Sequence, residues 1–235
     1  MSAPGIDTES RPPAMSTGLL LLVVASVLAL FGASPLVRQW LGVGRSSMEF
    51  SDVRLLGTIA FESVLVVAWG PLLWRRGWRA IAVTHPLAPS DALRGFGLAV
   101  GAYAGYAMGY LTMLLVAPAL ARQAASITAS GTPSWTVIIV VVMINPLFEE
   151  FFYLGIVANA LRERRPAIVL AVVVGLRVAL HLYEGPLAVM GILPVGVLWS
   201  LYYLRTRRLW PVVAAHAILD ALALGLLTLD PKLLQ

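Results

Sequence analysis

The sequence predicts an all-α protein, a polytopic transmembrane helix bundle of about seven spans, and three observations predict it. Hydrophobic residues make up 59% of the chain and charged residues only 12%, about half the share usual in soluble proteins. Mean hydropathy is +0.85, and the apolar residues gather in runs close to the roughly 20 residues that cross a hydrocarbon core. Arginines collect in the short connections between those runs, where topology signals belong.

The elements follow in order. Met1–Ser16, with its Pro, Ser and Gly, reads as a disordered leader, and 17–235 as one transmembrane helical domain. The first apolar run, Thr17–Val37, is too long for a signal peptide and is preceded by a single basic residue, Arg11, so it is expected to stay as an anchor. Leu55–Leu73 forms the second span. A polar linker with Pro86 and Pro89 follows, and Ser90 and Asp91 are N-cap candidates for the third span, Gly95–Ala121. That span carries Gly97, Gly101, Gly105 and Gly109, a stripe on one face that lets another helix approach closely. The fourth span, Trp135–Leu161, contains Asn145-Pro146; the proline removes a backbone hydrogen bond and favours a kink. Pro166–Tyr183, Pro186–Leu204 and Leu209–Leu229 complete the set.

Arg75, Arg76 and Arg79 follow span two, Arg162, Arg164 and Arg165 follow span four, and Arg205, Arg207 and Arg208 follow span six. The other connections hold Arg38, Arg45 and Arg54, then Arg122, then none. The positive-inside rule therefore puts the N-terminus inside and the C-terminus outside. The net charge of +5 forms no basic tail or basic amphipathic helix, which argues against nucleic acid as a partner. Cysteine is absent, so disulfides, a thiolate nucleophile and thiolate metal ligands are excluded. A metal would need His, Asp or Glu.

An ionisable side chain at mid-membrane costs roughly 2.5–3.5 kcal/mol on insertion scales and needs a reason to be there. Glu62, Glu149, Glu150, Arg177, His181, His216 and Asp220 fall inside spans, whereas His85 does not. All but Glu62 lie on spans four, five and seven. Counted inward from the inner arginines at about 1.5 Å per residue, Glu149 lies roughly 20 Å deep, Arg177 and Asp220 about 18 Å, His181 about 24 Å and His216 about 12 Å. These depths agree within about one and a half helical turns, close enough for one polar pocket. His216 and Asp220 share a helix face at a spacing of four, as do Arg177 and His181. Glu149 and Glu150 point about 100° apart, so one can face a cavity while the other turns to a neighbouring helix.

Three segments carry a family resemblance: Glu149-Glu150-Phe-Phe-Tyr-Leu-Gly155, Arg177-Val-Ala-Leu-His181 and His216-Ala-Ile-Leu-Asp220. In that order, each in its own span, they resemble the EExxxR, FxxxH and HxxxN/D motifs of the CAAX-protease and bacteriocin-processing (CPBP, or Abi) intramembrane proteases. The run Arg208-Leu-Trp-Pro resembles the family too, and the similarity covers about Trp135 to Leu229. The resemblance implies an intramembrane endopeptidase acting on a membrane-anchored or lipidated protein. Relatives cut prenylated C-terminal tails, bacteriocin leaders or membrane-spanning sorting signals, and a bacterial inner membrane is the expected location.

Amide hydrolysis needs an activated water, a stabilised oxyanion and a protonated leaving amine. Glu149 is the candidate base, with Glu150 beside it as a further candidate catalytic residue; His181 would hold the water or a metal, and His216 and Asp220 would orient the water or support the oxyanion. Two mechanisms fit. In one, zinc is held by His181, His216 and a carboxylate; in the other there is no cofactor. The histidines lack the compact HExxH spacing of a single-helix zinc site, which favours the metal-free version. The plainer readings are a structural carboxylate pair at Glu149 and Glu150 and hydrogen-bonded core histidines. The rival class is a non-catalytic membrane protein (immunity factor, scaffold or transporter), although the internal symmetry of transporters is not visible. Tyr153, Tyr183 and Tyr202 are expected in packing or at the interface, Glu184 at the outer boundary, and Glu62 matches no motif.

Two positions depart from the family pattern: Leu154 stands where its arginine would be, and Arg177 where its phenylalanine would be. The expectation is that these are one event, with Arg177 reaching Glu150 across the helix pair as a structural ion pair. The alternative is that Arg177 snorkels outward or pairs with Glu184.

Overall fold

Every expected apolar stretch carries a helix in the computed structural model, which describes residues 15–29, 47–75, 85–125, 128–182 and 186–229. The leader up to residue 14, Arg38, Arg45, Arg76, Arg79, Tyr183 and Glu184 lie outside the described residues. The helices are α1 (Thr17–Val27), α2 (Asp52–Arg75), α3 (Pro89–Val116), α4 (Pro118–Ala125), α5 (Trp135–Glu150), α6 (Pro166–His181), α7 (Pro186–Thr206) and α8 (Trp210–Leu229). Asp52–Leu73, Pro89–Val116, Trp135–Ala158 and Trp210–Leu229 are long and apolar enough to cross a membrane, while Thr17–Val27 and Pro166–His181 are shorter apolar helices. Large apolar side chains point outward along these elements, among them Val53, Val67, Leu115 and Ile139. Such a surface suits lipid rather than water, and the chain is an integral membrane protein.

The structure corrects some local expectations. The third span ends at Val116 rather than Ala121, because Pro118 has no N–H to extend the ladder and starts the separate helix α4. Ser90 and Asp91 do not cap α3. Pro89 occupies the first turn, Ala88 is the N-cap, and Asp91, three residues in, accepts the Ala88 backbone N–H at 3.0 Å. Asp91 is buried and also accepts from Arg208, Nε to Oδ1 and Nη2 to Oδ2 both at 3.0 Å. Arg208 thus ties the start of α3 to the α7–α8 turn, where Arg207 takes a left-handed conformation (φ 56°).

The glycine stripe of α3 is a packing surface. A Cβ at Gly101 would meet Leu198, one at Gly105 would meet Pro194, and one at Gly109 would come within 2.5 Å of the Met190 carbonyl oxygen, all on α7. Gly97 faces open space, and it is Gly95 that lies against α8, at Ala214 and Pro211.

At the other end, α2 and α5 are tied at their starts. Two three-residue strands, Ser47–Glu49 and Thr128–Ser130, pair in parallel, and the Ser134 backbone N–H donates to Asp52 Oδ1 at 2.7 Å. Ile59 clusters with Val137, Ile138 and Val141 of α5 and with Leu224 of α8. Ten residues on, Trp69 stacks on Phe148 and Phe152. The two helices therefore run parallel and in register.

Candidate active site

Helix α5 does not end at Glu150. It passes through Pro146 and continues from Phe151 to Ala158 as a π-helix, a form that is rare and often found at functional sites. Its wider turn leaves carbonyls short of partners, and buried Asn159 answers them: its amide nitrogen lies 3.1 Å from Leu154 O, 2.9 Å from Gly155 O and 2.7 Å from the Tyr203 hydroxyl. Leu154 is fully enclosed in this segment.

Glu150 is fully buried. Arg177 Nη1 donates to its Oε1 at 2.8 Å and Nη2 to its Oε2 at 2.6 Å, a bidentate pair. The guanidinium lies 4.3 Å from the Tyr153 ring centre and 5.3 Å from that of Trp199. Gly196 gives it room, since a Cβ there would come 3.2 Å from Arg177 Cδ. A planar fork against a carboxylate, sandwiched by aromatics, is the geometry that suits arginine and not lysine.

His216 joins the same carboxylate, with Nδ1 2.8 Å from Glu150 Oε1. A carboxylate already paired with arginine is an acceptor, so Nδ1 carries hydrogen and Nε2 faces the other way, 3.5 Å from Asp220 Oδ1. The His216 ring packs on Trp199 at 5.4 Å. Asp220 is held from α5, where Asn145 Nδ2 donates to its Oδ2 at 3.2 Å.

Glu149 borders the Glu150 network, a carboxylate oxygen lying within 4.8 Å of ligand atoms of Glu150 and His216. It also lines a cleft of about 40 Å³ with His181, Tyr153, Val27, Phe148, Phe152 and Leu180, room enough for water. His181 Nδ1 lies 2.7 Å from the Arg177 carbonyl. A carbonyl only accepts, so Nδ1 bears the hydrogen.

The structure therefore gathers Glu149, Glu150, Arg177, His181, His216 and Asp220 around the α5–α6–α8 contact, as two halves. One half is a closed ion-pair network at Glu150, and the other is an open cleft at Glu149 and His181. A metal fits this arrangement poorly. Among the described residues the ligand atoms that converge within 4.8 Å belong to Glu149, Glu150 and His216, without His181. Both Glu150 oxygens already face a guanidinium, whose charge opposes a cation there. Sequence reasoning missed Trp199, Gly196 and the Asn145 bond to Asp220; only the Asn-Pro pair had stood out, for its proline.

A buried polar cluster on three membrane helices, with a carboxylate and an imidazole facing one water-sized cleft, has the makings of a membrane-embedded hydrolase. Residues 131–222 match the family model described as Rce1-like, type II CAAX prenyl endopeptidase Rce1-like, and the three motif segments that resemble the CAAX proteases all lie within that match. No curated protein and no solved structure matches the chain. The family is one of endopeptidases, and it spans the segment from before α5 into α8.

Proposed function

We propose that this protein is an intramembrane endopeptidase that cuts a membrane-anchored or lipidated protein, with Glu149 as the general base. The observation that carries the proposal is the cleft shared by Glu149 and His181. Water entering it meets the Glu149 carboxylate, which can accept a proton, beside the His181 ring. Glu149 takes a proton as the water oxygen attacks the scissile carbonyl, and His181 Nε2 orients the water. The oxyanion is supported by His216 through Nε2–H when the ring carries both protons, with Asp220 fixing the ring and Asn145 fixing Asp220. Proton transfer of this kind contributes typically 10²–10⁴-fold.

Glu150 is assigned a different role. With both oxygens engaged, it holds Arg177 and His216 in place rather than meeting substrate. The apolar cleft walls, Phe148, Phe152 and Leu180, suit a hydrophobic segment or a lipid chain. Prenylated CAAX-type tails are the first candidates, because the matched family carries that activity in its description; a bacterial inner membrane is the proposed setting. The test is the set of mature protein termini in membranes of a deletion strain complemented with wild type or with Glu149→Gln. One or more proteins should keep an unprocessed terminus in the Glu149→Gln strain. Identical termini in both strains would remove the processing role.

A further inference from the structure

Glu62 is the buried charge that no motif accounts for. It is 1% exposed, and neither carboxylate oxygen has a hydrogen-bond partner. It lies on α2, outside the segment matched by the family. Ile59, Glu62, Leu65, Trp69 and Leu73 are all buried, and their spacing of three and four makes them one helix face. That face meets α5 at both ends, Ile59 at Val137–Val141 and Trp69 at Phe148 and Phe152. Glu62 lies between them on that face. The charged groups facing it are Glu149, Asp220 and His216.

A carboxylate ion with no donor, beside two other carboxylates, is among the costliest groups to bury, and such a group neutralises instead. Arg177 directs both Nη groups at Glu150 and is not among the groups that face Glu62, and His216 lies between Glu150 and Asp220. A neutral carboxylic acid has one O–H to donate. Glu149 has the matching deficit: its Oε2 is buried without a donor. We propose that Glu62 is a neutral carboxylic acid whose O–H serves that orphan oxygen of Glu149, directly or through one water, making Glu62 a positioning residue for the base. The bond fixes the Glu149 carboxylate in one orientation and leaves its other oxygen to take the proton from water. The strand pair and the Ser134–Asp52 bond lock α2 and α5 in register and so keep Glu62 beside the α5 segment that leads to Glu149. This inference rests on Glu149 as base for its catalytic consequence, but the hydrogen bond itself does not.

The test uses the purified full chain. Glu62→Gln is neutral and keeps a donor, so it should cleave a quenched fluorescent peptide with a prenylated CAAX-type tail within about threefold of the wild-type kcat. Glu62→Leu has no donor. It should melt at or above the wild-type temperature, because a buried polar group is gone, yet lose about tenfold or more in kcat with KM unchanged. An infrared difference spectrum between wild type and Glu62→Gln should contain the carbonyl band of a protonated carboxyl. That band should shift when Glu149→Gln removes its acceptor. Full activity in Glu62→Leu, equal losses in Glu62→Gln and Glu62→Leu, or a spectrum with only ionised carboxylate bands would each overturn the proposal. Failure of Glu149 as base would instead show as a fully active Glu149→Gln with the Glu62 band still present.

Discussion

Leu154 and Arg177 show what a single residue can and cannot reveal before folding. The sequence marks both as departures from the family pattern, and an unpaired Glu150 at that depth demands a cation, so the search for one is legible. That the cation sits on the next span, sandwiched between Tyr153 and Trp199 with Gly196 making room, depends on α7, whose contacts no local pattern encodes. The same holds for Asn145, whose bond to Asp220 joins residues 75 apart. Breaking a buried ion pair from one side leaves a stranded charge and costs about 3–5 kcal/mol, whereas replacing both partners is often close to neutral. Arg177→Met alone should therefore unfold at a clearly lower temperature in detergent, as should Glu150→Gln to a smaller degree. The Arg177→Met/Glu150→Gln protein should recover most of the loss. A double variant as unstable as the sum of the singles would mean the two groups do not act as a pair.

At the scale of elements, hydropathy locates the helices and composition locates their breaks only in part. Pro118 splits the third span because a missing N–H stops the ladder, a local effect visible in principle from sequence. The start of α3 was misplaced because Ser90 and Asp91 favour caps, while Pro89 already fixes the first turn and draws Asp91 into the third position. The π-helix after Glu150 has no sequence signature; it depends on Asn159 reaching Tyr203, 44 residues on. The glycine stripe was legible as a close-packing face, but not which glycines touch. A Cβ at Gly109 would meet backbone at 2.5 Å and at Gly97 would meet nothing within 4 Å. Gly109→Ala should therefore lower thermal stability by about 1–3 kcal/mol, the usual cost of overpacking, and Gly97→Ala should leave it unchanged or slightly raised. Equal effects at both sites, measured by thermal unfolding in the same detergent, would contradict the α3–α7 contact.

For the whole molecule, composition alone is enough to place the chain in a membrane, because too little polar surface exists to cover it in water. The distribution of arginines predicts an orientation with the N-terminus inside, which is open to a direct test. The chain has no cysteine, so an introduced thiol is the sole one and reports its side cleanly. Thr132→Cys, exposed before α5, should react with a membrane-impermeant maleimide in intact cells. Arg164→Cys, exposed in the turn before α6, should react only after permeabilisation. The opposite pattern would invert the topology. The site needs this assembly: spans far apart in sequence supply the proposed base, the ion pair and the proposed oxyanion support, and none of them is a site alone. The account stands most directly on one measurement, cleavage of a prenylated CAAX-type peptide by the purified protein in liposomes, followed by mass spectrometry of the products. Wild type should release a single C-terminal fragment, and Glu149→Gln, folded and inserted to the same extent, should lose at least about 10²-fold in rate. Cleavage by Glu149→Gln at the wild-type rate would contradict it.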